Sequence, residues 1–156
     1  MAVKAIVFDV GETLVDETRQ QQELADGRRA APFTEADFYP DALPALRALR
    51  ERGVRVGAVG NMRSENESFL EPHVDFVSSS ERWGVWKPAP EFFARVCENA
   101  GFDPPEVMYV GDRVDNDVAP ALEFGMVAVH IKRGPWGHLH ETPSGARRID
   151  SLLELV

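Results

Sequence analysis

Short apolar runs alternate with segments of helical periodicity along this chain, and no other feature restricts the fold as strongly. Strands separated by helices favour a parallel sheet with helices against its faces. Right-handed crossovers then place the second and third strands on one side of the first, and the fourth and fifth on the other, which predicts the order 5-4-1-2-3. The predicted strands cover residues 3–8, 54–59, 74–77, 107–110 and 126–131, and the predicted helices cover residues 41–52, 64–71, 89–100, 116–124 and 149–155.

The composition is typical of one folded unit without a nucleic-acid or membrane partner. A chain of 156 residues with 44% hydrophobic residues can bury one core, so we expect a single domain over residues 1–156. Seventeen basic against 26 acidic residues give a net charge of -9, which disfavours binding to nucleic acids or anionic membranes. Cys97 is the sole cysteine, so no intrachain disulfide can form and a reducing compartment, the cytoplasm, is expected.

The first apolar run ends abruptly in a carboxylate, Asp9, which is followed by a turn. A central strand of an open α/β sheet would present this residue at its carboxyl end, where ligands of such sheets bind. A carboxylate in a turn also commonly caps a helix or a loop. A catalytic role for Asp9 therefore needs partners elsewhere in the chain.

Two later segments supply candidate partners. The apolar run 107–110 is followed by Asp112, Asp115 and Asp117, and like charges held together are relieved by a divalent cation with oxygen ligands. The alternative for this segment is a solvated acidic turn that caps the next helix.

Lys87 precedes Pro88, which fixes an extended entry, so its cation would be rigidly placed to neutralise a transferring phosphoryl group. The alternative is an ordinary solvated surface lysine.

Four segments, FDVGETLVD, VGAVGNM, GVWKPAPEFF and VMYVGDRVDNDVAPALEFGM, resemble in order the four motifs of the haloacid dehalogenase (HAD) superfamily. The resemblance implies a Rossmann-like three-layer α/β sandwich and a Mg²⁺-dependent hydrolase, most simply a phosphatase, that forms an aspartyl-phosphate. Covalent catalysis by a carboxylate divides phosphoryl transfer into two steps. It implies Asp9 and Lys87 as catalytic residues, Gly60, Asn61 and Lys87 as substrate-binding residues, and Asp9, the Gly11 carbonyl, Asp112 and Asp117 as metal ligands.

The chain departs from the family pattern at Gly11, where related phosphatases carry a second aspartate that serves as general acid and base. Such a group is worth about 10²- to 10⁴-fold in rate. Glu12 and Asp16 are the candidate substitutes in this part of the sequence. With the acid compromised, the sequence predicts a preference for good leaving groups such as aryl or acyl phosphates.

A second departure is Gly60, where the family pattern has a Ser or Thr whose hydroxyl binds phosphate. One lost hydrogen bond to a charged group costs about 1.5–3 kcal/mol. The backbone N–H groups of Gly60 and Asn61 would offset part of this cost. The alternative function is therefore a catalytically silent relative that binds a phosphorylated ligand or a protein partner, and a long-lived phosphoenzyme would also permit phosphotransfer.

Residues 16–40 occupy the interval that holds a helical cap in many relatives, and here only a reduced insert is expected. Residues 17–31 are polar and predict either one exposed helix or a flexible arm. A nearly capless site is wet, and water exclusion strengthens electrostatic catalysis. The sequence thus predicts that a phosphorylated small molecule or macromolecule covers the site itself, or that a second copy in a homo-oligomer does.

Overall fold

The computed structural model describes residues 2–156 and contains one parallel sheet flanked by helices. This confirms the predicted Rossmann-like α/β architecture. Within the described part of the chain, no helix is both long and apolar enough to cross a lipid bilayer. The strands are β1 (Ala5–Phe8), β2 (Arg55–Gly60), β3 (Phe76–Ser79), β4 (Val107–Gly111), β5 (Val127–Ile131) and β6 (Arg147–Ile149), in the order β3-β2-β1-β4-β5-β6.

The sixth strand corrects the predicted five-stranded sheet of order 5-4-1-2-3. The first five strands have the predicted neighbours when the sheet is read from its other edge, but β6 pairs with β5, with Ile149 opposite Ile131. Residues 149–155 were predicted as a helix, and only Leu152–Leu155 forms a short 3₁₀ turn. The apolar positions of this tail fit a helix, yet Ile149 is buried as a strand residue in the core. Burial against β5 therefore outweighs the local helical pattern.

The α-helices are α1 (Thr18–Ala25), α2 (Ala42–Glu51), α3 (Ser80–Trp83), α4 (Pro90–Ala100), α5 (Ala119–Phe124) and α6 (Gly134–Leu139). The helix predicted at 64–71 is wrong, because this segment contains only the 3₁₀ turn Ser64–Asn66 and further turns. The Asn66 side chain accepts a hydrogen bond from the Phe33 N–H at 2.8 Å, and Glu67 accepts one from the Ser79 hydroxyl at 2.6 Å. These tertiary contacts outweigh a weak helix propensity.

Side chains of each strand alternate between two apolar layers, as the period of a strand requires. In β1, Ile6 and Phe8 enter the layer beneath α2, while Ala5 and Val7 enter the layer beneath α4 and α5. All four are buried. Burial on both faces identifies β1 as a central strand. Asp9, the residue after Phe8, therefore emerges near the middle of the carboxyl edge of the sheet.

The register of β1 with its two neighbours brings the loops of the site together. Phe8 lies opposite Ala58 of β2 and opposite Val110 of β4. The residues that follow these positions therefore emerge side by side at the carboxyl edge of the sheet, which is the binding edge of open α/β folds.

The insert between β1 and α2 forms a short arm over this edge. Its helix α1 has no buried residue, which matches the first of the two predicted alternatives, an exposed helix. Arg19 ties the helix to the rest of the arm, with hydrogen bonds to Asp37 Oδ2 at 2.9 Å and to the Pro32 carbonyl at 3.0 Å. Val15 bridges both to Gly11 and to Phe38, so the arm leaves and returns beside the end of β1.

Candidate active site

Asp9 lies directly beyond β1, and hydrogen bonds hold both its backbone and its side chain in place. Its backbone N–H donates to the Val110 carbonyl at 2.8 Å. Its carboxylate accepts a hydrogen bond from Lys87 Nζ at 2.8 Å. Asp9 is buried but borders a cavity of about 500 Å³, so the carboxylate is both oriented and reachable.

Lys87 is a buried ammonium between two carboxylates. Besides Asp9, its Nζ contacts Asp117 Oδ1 at 2.6 Å. Burial would lower its pKa, but Asp117 and Asp9 raise the pKa well above the usual range, so the lysine carries a charge. The Lys87 N–H donates to Asn61 Oδ1 at 2.8 Å, and Asn61 Nδ2 donates to the Lys87 carbonyl at 3.1 Å. The Asn61 side chain thus positions Lys87.

Asp117 reaches the site from a wide π turn, Val114–Val118, that begins just after β4. The turn directs its carboxylate back toward the strand end, where Oδ2 accepts a hydrogen bond from the Arg113 N–H at 3.0 Å. A β-carbon on Gly111 would lie 2.3 Å from Asp117 Oδ2. Only glycine at this position lets the carboxylate approach the strand so closely.

Asp112 completes a cluster in which one oxygen each of Asp9, Asp112 and Asp117 lies within 4.8 Å of the others. Burial and the charges of Asp9 and Asp117 raise the pKa of Asp112 to about 10, and burial and Asp9 raise that of Asp117 to about 6. The His130 Nε2–H donates to the Asp112 carbonyl at 3.1 Å and fixes the backbone.

If all three carboxyl groups were ionised, their charge would exceed that of Lys87, and this crowding is part of the reason why the pKa of Asp112 is raised in the absence of a cation. A hard divalent cation with oxygen ligands, such as Mg²⁺, would compensate this negative charge. The residues present therefore fit the metal that the resemblance implies.

Gly11 faces the carboxyl group of Glu17 on the arm. A β-carbon on Gly11 would lie 2.7 Å from Oε1 and 2.8 Å from Cδ of Glu17. Glu17 is half-buried, and burial, with the charges of Asp9 and Glu12, raises its pKa to about 7. Sequence reasoning missed Glu17, because nothing local shows that the arm returns over the strand edge.

The two residues suggested by the sequence as substitute acids are engaged elsewhere. Glu12 is buried, where its Oε2 accepts from the Tyr39 hydroxyl at 2.7 Å and its Oε1 accepts from the Glu17 N–H at 2.7 Å. Asp16 is exposed and accepts from the Thr18 N–H at 2.8 Å. Both carboxylates therefore support the start of α1.

Gly60 ends β2 next to Asp9, and a β-carbon there would lie 2.9 Å from Asp9 Oδ1. A serine at this position would press on the nucleophile candidate in its present orientation. The structure brings the residues that the family resemblance implies as catalytic, substrate-binding and metal-binding to one cavity, while these roles stay predictions. The suggested acids Glu12 and Asp16 do not line it. The shared lining comprises Asp9, Gly11, Gly60, Asn61, Lys87, Asp112 and Asp117, and also Glu17, Arg63 and Trp136.

Sequence comparison finds relatives of this chain among named proteins. The chain is 35% identical over 124 residues to a glyceraldehyde 3-phosphate phosphatase of Methanocaldococcus jannaschii, an alignment that covers 76% of this chain and 54% of the relative. It is 41% identical over 104 residues to the protein of the same name from Methanopyrus kandleri, covering 63% of this chain and 45% of that one. The chain thus spans about half the length of these relatives.

A solved structure extends the likeness to the whole fold. The crystal structure of a HAD phosphatase from Thermococcus onnurineus superposes with a TM-score of 0.80 at 21% identity, covering 98% of this chain and 96% of that one. The model of the family described as haloacid dehalogenase-like hydrolase matches residues 17–125. Because this match spans more than half of the sequence, the chain belongs to the haloacid dehalogenase-like hydrolase family.

Proposed function

We propose that this chain is a Mg²⁺-dependent phosphoric monoester hydrolase in which Asp9 is the nucleophile. The observation that carries the proposal is the contact of Asp9 with Lys87 at 2.8 Å, beside two further buried carboxylates at the rim of one cavity. A carboxylate, a fixed ammonium and an acidic cation site are the groups that phosphoryl transfer to an aspartate needs.

The proposed reaction has two steps. In the first, a carboxylate oxygen of Asp9 attacks phosphorus, the bond to the leaving oxygen breaks, and an aspartyl-phosphate forms. In the second, water attacks that phosphorus, the bond between phosphorus and the Asp9 oxygen breaks, the Asp9 carboxylate is regenerated and inorganic phosphate leaves. Lys87 supplies fixed positive charge to the phosphoryl oxygens, which is most effective in a site that excludes water.

The metal would be held by Asp9, Asp112, Asp117 and the Gly11 carbonyl. Bound there, Mg²⁺ would neutralise charge on the phosphoryl oxygens. The backbone N–H groups of Gly60 and Asn61 are the proposed donors to the same oxygens. Because Gly11 lacks a side chain, the proton for the leaving group comes either from water, which favours good leaving groups, or from another residue.

The proposed substrates are small phosphate esters. The matched relatives are named as glyceraldehyde 3-phosphate phosphatases, which makes a phosphorylated three-carbon sugar the first compound to test. The arm carries a single exposed helix over the site, so we propose that the substrate, or a second copy of the chain, contributes to closing it.

The test is an assay of phosphate release with 4-nitrophenyl phosphate and with glyceraldehyde 3-phosphate, with and without Mg²⁺. Asp9→Asn should abolish turnover on both compounds, and mass spectrometry of acid-quenched parent protein should find phosphate on Asp9. Asp115→Asn is the matched control, because Asp115 lies on the same loop but pairs with Arg113 at the surface. Its activity should equal that of the parent.

Failure of this test would favour the silent alternative. Absence of turnover in the parent, together with binding of a phosphate ester that depends on Lys87, would identify a binding protein. Turnover that survives in Asp9→Asn would exclude Asp9 as the nucleophile.

A further inference from the structure

We propose that Glu17 is the general acid and base of this site and replaces the carboxyl group that Gly11 cannot provide. The inference rests on the proposed function, since it names a further catalytic residue for the same reaction. It concerns a residue on the arm that was not among the substitutes expected from the sequence, Glu12 and Asp16.

The first argument is the shared volume. A side chain at position 11 would begin 2.7 Å from Glu17 Oε1, 2.8 Å from its Cδ and 3.2 Å from its Oε2. All three atoms of the carboxyl group thus lie where a side chain at position 11 would start. The carboxyl of Glu17 therefore takes the place of a side chain two residues after the nucleophile, although it is attached six positions further along.

The second argument is that this placement is held by specific contacts. The Glu17 N–H donates to Glu12 Oε1 at 2.7 Å, and Glu12 Oε2 accepts from the Tyr39 hydroxyl at 2.7 Å. The guanidinium of Arg133 lies 4.1 Å from the centre of the Tyr39 ring. A catalytic group must be held in place by its neighbours, and this chain of contacts fixes the backbone from which Glu17 extends.

The third argument is access to the reacting atoms. Glu17 lines the same cavity as Asp9, Gly11 and Lys87, and its side chain is only partly buried. Glu12 faces Tyr39 and Asp16 is exposed at the start of α1, so neither has its carboxyl at Gly11. Of the three acidic residues between positions 12 and 17, Glu17 alone combines the right place with access to the cavity.

The proposed proton transfers balance in both steps. As Asp9 attacks phosphorus, the protonated Glu17 carboxyl gives its proton to the leaving oxygen, and the product alcohol departs neutral. The Glu17 carboxylate then takes a proton from water as the water oxygen attacks the aspartyl-phosphate. The Asp9 carboxylate leaves with the electron pair of the broken bond, and Glu17 is again protonated.

The test compares an alkyl phosphate, whose leaving group must be protonated, with an aryl phosphate, whose leaving group departs without a proton. Glu17→Gln keeps the size of the side chain but cannot donate a proton as the acid does. We expect kcat for an alkyl phosphate to fall by about 10²- to 10⁴-fold. With 4-nitrophenyl phosphate, whose leaving group needs no proton, rapid mixing should show a stoichiometric burst of nitrophenol at nearly the parental rate, followed by slow turnover and accumulation of phosphate on Asp9.

Two further variants make the test specific. Asp26→Asn is the matched control, because it removes an acidic charge from the other end of α1, where Asp26 pairs with Arg28 at the surface, and it should retain parental rates. The double variant Glu17→Ala with Gly11→Asp moves the carboxyl to the other side of the same volume and should recover most of the alkyl phosphatase rate.

Equal losses of Glu17→Gln on alkyl and aryl phosphates, with no burst, would overturn the proposal and leave Glu17 a structural role. Failure of the proposed function gives a different pattern. Turnover that persists in Asp9→Asn, or a parent inactive on every ester, removes the covalent mechanism itself and the role of Glu17 with it.

Discussion

The ammonium of Lys87 lies 2.8 Å from the carboxylate of Asp9, and both side chains are largely buried where they border the cavity of the site. The pair connects two segments that are 78 positions apart in the sequence. It is therefore placed to affect both the stability of the fold and the chemistry that we propose.

Replacing Lys87 should affect stability and activity together. Lys87→Met leaves the carboxylates of Asp9 and Asp117 buried without their cation, and removing one partner of a buried ion pair costs about 3–5 kcal/mol. Phosphatase activity should fall by at least about 10²-fold, because the fixed charge at the phosphoryl group is lost. Urea unfolding without Mg²⁺ and phosphate release measure the two effects.

Lys4→Met is the matched control for this change. Lys4 pairs with Glu106 at 3.0 Å, but its side chain is 54% exposed. Exposed pairs contribute about 0–1 kcal/mol, so this variant should nearly match the parent. Unchanged unfolding of Lys87→Met would show that the buried pair is neutral for stability.

Asp112 should have opposite effects in the absence and presence of Mg²⁺. Without metal, burial and the charges of Asp9 and Asp117 raise the pKa of Asp112, so folding at neutral pH must protonate a group that is ionised in the unfolded chain. Asp112→Asn removes this cost and should raise the free energy of unfolding. A ligand at 100 times its Kd stabilises a protein by about 2.7 kcal/mol, and this Mg²⁺-dependent gain should disappear in the variant. Thermal unfolding across a Mg²⁺ titration measures both effects. Asp115→Asn should keep the parental response, and a parent whose Tm ignores Mg²⁺ would contradict the metal site.

Asp41 should contribute to stability only above acidic pH. It accepts hydrogen bonds from Arg133 Nη2 at 2.6 Å, from the Ser151 hydroxyl at 3.0 Å and from the Leu152 N–H at 3.0 Å. Burial opposes its ionisation, but Arg133 and the Leu152 N–H lower its pKa below the ordinary value of 3.8. The stabilisation is therefore complete above that value and is lost as pH falls through the lower, folded-state pKa.

Asp41→Asn tests this pH dependence. At pH 7 the variant should lose about 1.5–3 kcal/mol, the contribution of a hydrogen bond to a charged group. The difference from the parent should shrink as the pH is lowered below about 4, where unfolded-state aspartates become protonated. Asp150→Asn, at an exposed pair with Arg148, should change little at either pH. A difference that stays constant with pH would exclude the linkage.

Gly111 should be essential for the position of Asp117. In Gly111→Ala the added methyl group would lie 2.3 Å from Asp117 Oδ2, so the carboxylate must move. Overpacking of this kind costs about 1–3 kcal/mol, and stabilisation by Mg²⁺ should weaken with it. The double variant Gly111→Ala with Asp117→Ala removes the clash. Its loss of stability should be smaller than the sum of the two single losses, and strict additivity would show that the residues do not interact.

The parts of the site that follow directly from a buried strand could be predicted from the sequence. Asp9 and Asp112 each come just after a strand core, and the register of parallel neighbours brings such positions to one edge. Lys87 could be predicted because a proline restricts the chain immediately after it. These features depend on local sequence and on a fold that allows few arrangements.

The parts that depend on the path of irregular segments could not be predicted. Glu17 reaches Gly11 only because the arm turns back at Val15, which bridges both to Gly11 and to Phe38. Residues 17–31 carry no apolar period that would reveal this return. Strand β6 was missed for a related reason, because its three residues are too few to show an alternating pattern and the tail after it has helical spacing.

The shared space between Gly11 and Glu17 has a consequence for how such chains change over time. A larger side chain at position 11 can be accommodated only if the side chain at position 17 becomes shorter or adopts another rotamer, since the two would otherwise occupy the same space. Bulk at the two positions should therefore covary inversely among homologous sequences. A search for related enzymes that requires two aspartates in the first motif would then miss members in which the second carboxyl group is supplied from the following segment, as we propose for Glu17.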